Sequence, residues 1–263
     1  MTSWTARLRP LKYRLRCLLL CLSPFSYWSI RGVLKGLKEP EIALVPYLCD
    51  REHTSLDLGA NFGAYTCLMS RYSRICHAFE PLPMLARTLR TGYRRANVVV
   101  HQVALSNCSG HARIRAPRAD IGFSTIEPTN VLHGKVIDHS RIDEFEVKTC
   151  CLDDYGFDDV GFVKMDVEGH EAAVLHGGRH LFETCRPSIL VEIEDRHCPG
   201  GAGAVFEFLL PLNYSAYVFV GGALLPCPAP SREAGDGNAG IQSRNVLFLQ
   251  PEIAQRLARD LSM

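Results

Sequence analysis

Hydrophobic and polar positions alternate on two length scales along this chain of 263 residues. Short apolar runs rich in β-branched or aromatic residues, "HTSLDLG", "ICHAFE", "NVVVHQVALS", "FVKMDVEG" and "SILVEIE", are bounded by Gly, Pro or Asn and predict strands. Between them lie the helix-length segments "GAYTCLMSRY", "LPMLARTLRTGYRR" and "HEAAVLHGGRHLF". In these, Leu82, Leu85 and Leu89, and then Val174, Leu175 and Leu181, recur near helical spacing. Strand and helix in alternation predict an α/β fold, a mostly parallel sheet with helices on both faces. After Pro211 the pattern changes: "YSAYVFVGGALLP" and "NVLFLQ" predict strands joined by a glycine turn and the polar loop "APSREAGDGNAGIQSRN". That is an antiparallel hairpin ending the sheet, with no second domain. Residues 118–146 show neither period and predict an irregular connection, of the kind that forms binding loops or lids in compact domains.

The N-terminal residues stand apart, and the division predicted is a helical extension over 1–40 ahead of one domain over 41–263. Eight basic residues (Arg7, Arg9, Lys12, Arg14, Arg16, Arg31, Lys35, Lys38) precede the first acid, Glu39, although the whole chain has 29 basic and 28 acidic residues. The positive charge therefore belongs to the N-terminus, and the remainder gives no reason to expect nucleic acid. Within "ARLRPLKYRLRCLLLCLSPFSYWSI" the apolar stretch 17–22 meets Pro24 long before the roughly 20 residues a spanning helix needs. There is no A-x-A-like cleavage site. Two readings remain: residues 7–30 as an interfacial helix with Leu18, Leu19, Phe25, Tyr27 and Trp28 at a lipid headgroup boundary, or a helical extension packed on the domain. The eleven cysteines are odd in number, scattered, and include no C-x-x-C pair, which reads as reduced thiols in a cytoplasmic protein, peripheral at a membrane if the first reading holds.

"SLDLGANFGAYT", residues 55–66, is the turn from the first predicted strand into the first predicted helix, where open parallel sheets bind ligands. Gly59 and Gly63 permit close backbone approach there. A dinucleotide fingerprint would have glycine at position 61, which is Asn, and Asp57 would repel a pyrophosphate, so a nicotinamide dehydrogenase is disfavoured. The next strand ends in "AFEP" and brings Glu80 to the same crevice, where an acid accepts the hydroxyls of a ribose. A first-turn acid together with a ribose acid suits a nucleoside ligand that is cationic and carries no phosphate. S-adenosylmethionine, with a sulfonium and an ammonium, is such a ligand.

Taken together, "LDLGANFGAYT", "AFEP", "VALSNCSG", "LDDY" and "FVKMDVEGHE" resemble the FkbM family of methyltransferases, in the same order from about residue 55 to 195. The resemblance implies a class I, Rossmann-like fold with a seven-stranded sheet ending in the antiparallel hairpin, and S-adenosyl-L-methionine as cofactor. It implies a cofactor site of Asp57, Gly59, Ala60, Asn61, Gly63, Tyr65, Glu80, Pro81, Gln102 and Ala104. Among these, Asp57, Gly59, Asn61 and Gly63 line the methionine moiety, Glu80 holds the ribose, and Gln102 with Ala104 borders the adenine. Position 102 is Gln where the family often has Asn. The acceptors implied are hydroxyls of sugars, glycolipids or natural products, a small molecule or a glycan, with nitrogen acceptors as the alternative.

"KMDVEGHE" also carries its own chemistry. Strand alternation puts Lys164, Asp166 and Glu168 on one side and Met165 and Val167 on the other. Polar residues at the end of a buried strand are costly unless paired or used. Methyl transfer requires positioning and the removal of one proton, for which Asp166, Glu168 and His170 are the candidates. The structural alternative is an ion pair between Lys164 and Asp166, with Glu168 as the capping acid of the next helix. "VEIEDRH" offers Glu192, Glu194, Asp195 and His197 as oxygen and nitrogen donors at a strand end, but four polar residues leaving a strand read more simply as a solvated turn, so no metal is assigned. The stretch "DIGFSTIEP", with Ser124 and Thr125, is the candidate acceptor loop, with a surface insertion as its alternative. A degenerate binding module would keep the glycines and lose the proton-handling residues, and here all three are present.

Overall fold

The computed structural model describes residues 11–28, 39–94, 96–118, 120–130, 132, 142–193, 201–230 and 244–261. Their helices are α1 (Leu11–Leu22), α2 (Val45–Leu48), α3 (Ala64–Tyr72), α4 (Pro83–Gly92), α5 (Glu171–Gly177), α6 (Arg179–Thr184), α7 (Gly201–Leu209) and α8 (Pro251–Leu261). The strands are β1 (Thr54–Leu58), β2 (Ile75–Phe79), β3 (Val98–His101), β4 (Ala104–Leu105), β5 (Gly110–Pro117), β6 (Ile142–Cys150), β7 (Val160–Met165), β8 (Ser188–Ile193), β9 (Ser215–Val220), β10 (Ala223–Pro226) and β11 (Arg244–Leu249).

Eight strands form the main sheet in the order β10-β9-β11-β8-β7-β1-β2-β3. Strands β8, β7, β1, β2 and β3 run parallel, whereas β11 is antiparallel to both β8 and β9. The strand order reverses between β1 and β7, and this opens a crevice at their carboxyl ends. The expected architecture is thus present, with one strand more than seven: the hairpin through Gly221 and Gly222 lays β10 along the outer edge of β9.

Period-two alternation puts both faces of the sheet to use. Leu56, Leu58, Val163, Met165, Ile189, Val191, Val246 and Phe248 pack with Val174, Leu175, Phe182 and Phe206 of α5, α6 and α7. The intervening Phe162, Leu190, Leu247 and Leu249 pack with Val45, Met69 and Leu257 of α2, α3 and α8. A third cluster joins α1 and α4 through Leu20, Leu85, Leu89 and Tyr93.

Three local differences from the sequence reading have physical reasons. "NVVVHQVALS" divides between two sheets, because β4 leaves the main sheet and pairs with β6 in a small sheet ordered β4-β6-β5. "HEAAVLHGGRHLF" is two helices, broken at Gly177 and Gly178. The stretch 118–146 is not irregular throughout: its last five residues begin β6, where exposed Glu144, Glu146 and Lys148 alternate with Phe145, Val147 and Thr149. Residues 133–141 of that stretch lie outside the described residues.

Candidate active site

The turn after β1 is fastened to its neighbours before any ligand is considered. The backbone N–H groups of Gly59 and Ala60 both donate to the Phe79 carbonyl at the end of β2, at 3.0 Å each. Gly59 has φ +83°, and a Cβ there would stand 1.9 Å from the Asp166 carbonyl oxygen. Gly63 has φ +79°, and its Cβ would meet Leu89 of α4 at 2.6 Å. Sequence reasoning gave both glycines to close backbone approach and tight packing; in the structure each makes room for another part of the chain, and Gly59 also lines the pocket. Asn61, itself left-handed at φ 51°, donates its N–H to Glu80 Oε2 at 2.8 Å, and the Leu82 N–H donates to Glu80 Oε1 at 2.8 Å. One carboxylate therefore pins two loops and keeps further lone pairs on each oxygen.

Beside this turn lies a pocket of about 630 Å³ counted together with its open mouth. Gly59, Asn61, Glu80, Pro81 and Ala104 of the sequence-derived cofactor set line it, as do all three proton-handling candidates, Asp166, Glu168 and His170. Its lining includes Glu80, Asp166 and Glu168 and, among the described residues, no lysine or arginine, so these acids favour a cation inside. Asn61 Oδ1 is buried and accepts no hydrogen bond from the described residues, an open acceptor at the strand-end turn. Burial pushes the Glu80 carboxyl up to about 7 despite the two backbone donors that favour its charged form.

Five of the sequence-derived residues stand elsewhere. Asp57 is buried behind the turn, where Thr66 Oγ1 donates to it, and burial pushes its carboxyl up to about 6. Ala60 and Gly63 form the turn's buried back. Tyr65 packs on the α3 side of the sheet, its ring 5.2 Å from Lys164 Nζ. Gln102 is exposed and receives Arg90 Nη1 at 3.2 Å, while its neighbours Val103, Ala104 and Leu105 form the cavity wall.

Lys164, expected opposite Asp166, is fully buried with its Nζ 3.9 Å from Glu192 Oε2 and 3.5 Å from Asn245 Oδ1. Burial alone would lower its pKa, but the carboxylates of Asp166, Glu192, Glu39 and Asp57 outweigh it and leave the ammonium raised. Glu192 is raised in turn, first by the Asp166 charge and then by burial. The helix cap also differs from expectation: Glu168 has φ 56° ahead of α5, and it is Glu171 Oε1 that accepts the N–H groups of Gly169 (3.1 Å) and Val167 (3.3 Å).

The far wall comes from β5 and the segment 120–130, through Ile114, Ile121, Gly122, Ser124 and Ile126. This segment is strapped down. Arg115 and Thr125 exchange backbone hydrogen bonds, Thr125 Oγ1 and Asn130 Nδ2 both donate to the Glu168 carbonyl at 2.8 Å, and Arg115 Nη2 donates to the Glu127 and Asn130 carbonyls. Of the two expected loop hydroxyls, Ser124 faces the cavity and Thr125 is one of the straps. The segment also supplies a partner that sequence reasoning missed: Glu127 Oε2 lies 3.0 Å from His170 Nδ1, with Ser106 Oγ 2.9 Å from His170 Nε2. Burial pushes the Glu127 carboxyl up, but hydrogen bonds from His170 and Thr129 outweigh it and hold it below its ordinary value. An ionised Glu127 only accepts, so Nδ1 carries the proton and Nε2 is left as the basic nitrogen. No local signal tied Glu127 to His170, 43 residues away.

Among the described residues no three His, Cys, Asp or Glu side chains gather as a metal site; Glu194, Asp195 and His197 lie outside them. No curated protein matches the chain. Solved structures similar to it include a methyltransferase FkbM from Methylobacillus flagellatus KT (14% identity, 90% of this chain and 59% of that one, TM-score 0.49). Others are an rRNA methylase from Streptococcus thermophilus (13%, 80% and 95%, 0.41) and a SAM-dependent O-methyltransferase from Thermotoga maritima (11%, 81% and 64%, 0.40). The chain spans less than two thirds of the first and of the last. A model of the methyltransferase FkbM domain matches residues 57–218, which take in every residue of the cavity wall, and on that match the chain belongs to the S-adenosylmethionine-dependent methyltransferases of the FkbM family.

Proposed function

We propose that this protein transfers a methyl group from S-adenosylmethionine to a hydroxyl of a sugar, glycolipid or natural product, with His170 as the base. The residues present fit the cofactor: a cavity rimmed by carboxylates, with an open acceptor on Asn61, matches a ligand whose charges are a sulfonium and an ammonium. Glu80 would take the ribose hydroxyls on its remaining lone pairs, Asn61 Oδ1 the ammonium, and Val103, Ala104 and Leu105 would flank the adenine. When bound, the cofactor supplies an electrophilic methyl whose sulfur leaves with the bonding pair.

The chain's own residues do the rest. A hydroxyl is a poor nucleophile until its proton has somewhere to go, and this favours an oxygen acceptor in a cavity that holds an oriented imidazole. Glu127 holds the proton on Nδ1, so Nε2 receives the acceptor's proton in place of the Ser106 hydroxyl and the carboxylate stabilises the imidazolium that results. Asp166 and Glu168, on the same wall, orient the acceptor and hold the methyl-donor side at negative potential. Ile121 and Ile126 exclude water from the line of transfer.

The observation that carries this reading is the Glu127–His170 contact at the wall of an acidic cavity. Calorimetric titration with S-adenosylmethionine tests the cofactor half. Micromolar binding that Glu80→Ala weakens, with no heat from NAD, supports the reading, and no binding by folded protein refutes it. A panel of sugar and glycolipid hydroxyls, read by release of S-adenosylhomocysteine, tests the other half. His170→Ala should slow transfer about 10²–10⁴-fold while leaving the cofactor titration intact. Cofactor binding with no turnover on any oxygen or nitrogen acceptor would mark a binding module instead.

A further inference from the structure

The N-terminal helix α1 has two unlike faces. On the inner face of α1, Leu20 is 2% exposed and packs with Cys17 against α4, close enough that a Cβ on Gly92 would stand 2.6 Å from the Leu20 carbonyl oxygen. Cys21 Sγ reaches toward the Thr88 carbonyl. Residues 24–28 continue this contact. Trp28 is buried and donates Nε1–H to the Phe62 carbonyl at 3.3 Å, Phe25 meets Tyr93 edge-on, and Arg16 stacks over the Phe62 ring at 3.7 Å. Trp28, Phe25 and Tyr27, expected at a headgroup boundary, belong instead to the packed side.

The outer face is different. Leu15, Leu18, Leu19 and Leu22 are 54%, 56%, 42% and 74% exposed, and their spacing of i, i+3, i+4 and i+7 sets them in one stripe. A soluble surface gains nothing from four adjacent leucines. At 12 residues the helix is about 18 Å long, and no described helix is long and apolar enough to cross a membrane. The surrounding sequence supplies a charge of one sign: eight basic residues and no acidic one before Glu39; among the described side chains, that of Arg16 turns inward.

We infer that α1 is an interfacial anchor, its leucine stripe inserted among the acyl chains of an anionic bilayer surface with the flanking lysines and arginines at the headgroups. Charge complementarity selects this occupant. A second copy of the chain would bring like charge against like, and four leucines offer on the order of a few hundred Å², far below the roughly 1,200 Å² of a stable dimer. Lipid answers both the apolar stripe and the basic flanks, at a depth suited to a helix lying in the interface plane. This inference stands apart from the reaction, since none of these residues lines the cavity.

Vesicle flotation of the full chain tests it. The protein should float with phosphatidylcholine vesicles containing phosphatidylserine, less with phosphatidylcholine alone, and less again as salt rises. The pair Leu18→Glu and Leu22→Glu, exposed positions whose substitution leaves the inner face untouched, should lower the partition about tenfold or more. Replacing Arg7, Arg9, Lys35 and Lys38 by Gln should remove the preference for phosphatidylserine. S-adenosylmethionine titration and circular dichroism verify that each variant is folded. Absence of the parent protein from both vesicle types would overturn the inference. So would leucine variants that float as well as the parent, or a concentration-dependent dimer, by light scattering, that the same variants convert to monomer.

Discussion

Two groups of polar residues gather where β7 and β8 end, and they answer the cost of burying charge in opposite ways. Toward α3, Lys164 meets Glu192, Asn245 and the Tyr65 ring, and Asn245 Nδ2 passes the contact on to Glu41 at 3.5 Å. That group is gathered around a cation of its own, Lys164, which several carboxylates share. Toward the cavity, Glu80, Asp166 and Glu168 line one pocket with no lysine or arginine among its described lining residues, and Asn61 keeps an acceptor that no described residue claims. Asp166 belongs to both, because it raises Lys164 and Glu192 on one side and lines the cavity on the other. Buried charge by itself thus says little about function; several carboxylates lining one open pocket say a good deal.

Breaking the group around Lys164 should produce the largest effect. Lys164→Met leaves several buried carboxylates without their cation and should lower stability by about 3–5 kcal/mol, read from chemical denaturation. A loss below about 1 kcal/mol would mean that those carboxylates are protonated in the native state and never needed it.

Breaking the open group should cost binding more than folding. Glu80→Ala should weaken S-adenosylmethionine by roughly 1.5–3 kcal/mol for each charge-assisted bond lost, which calorimetry resolves, and should lower stability by about 1–3 kcal/mol because the Asn61 and Leu82 N–H groups lose their acceptor. Equal losses in both measurements would erase the distinction between the groups.

The contrast sharpens with pH. Glu80 and Asp57, pushed by burial from 4.5 to about 7 and from 3.8 to about 6, hold protons in the native state that the unfolded chain has released. Between about pH 4 and 7 the native state therefore binds more protons, and stability falls as pH rises. Cofactor binding draws on the ionised Glu80 and should run the other way, tightening up to about tenfold per unit as pH climbs toward 7. Glu80→Gln should flatten both slopes. Parallel slopes in the parent protein would contradict the role given to this carboxylate.

The smallest effect belongs to the Ser106 contact at the cavity wall. Ser106→Ala removes one hydrogen bond to His170, costs about 1 kcal/mol in stability, and leaves Glu127 to set the tautomer. The nitrogen-15 shifts of His170 should still report a proton on Nδ1.

Much of this arrangement was legible in the chain because it is written locally. The alternation of apolar runs and helical segments gave the parallel sheet, and the strand ends at Asp57, Glu80 and Asp166 marked the crevice. What escaped was encoded at a distance. The small sheet hid because β4 has two residues and β5 and β6 face water on one side, so arginines and glutamates dilute their apolar period. Glu127 meets His170 only after β5, the strapped segment 120–130 and the β7–α5 turn have folded together. Gln102 beside Ala104 illustrates a narrower limit: a residue's neighbour can line a cavity while its own side chain points to solvent.

The Asp166 carbonyl seated in the space of a missing Gly59 side chain has a bearing on redesign. The cofactor turn and the proton-handling turn share a single van der Waals boundary there and would have to be inherited together in any chimera of two such enzymes. The segment 120–130 is fastened to that unit by hydrogen bonds to the Glu168 carbonyl and to His170, and packs on it through Ile121 and Gly122, so under the proposed function it is the piece to exchange when a new acceptor is wanted. A graft that keeps a Thr, a Glu and an Asn at the positions of Thr125, Glu127 and Asn130 would carry new specificity onto an untouched engine.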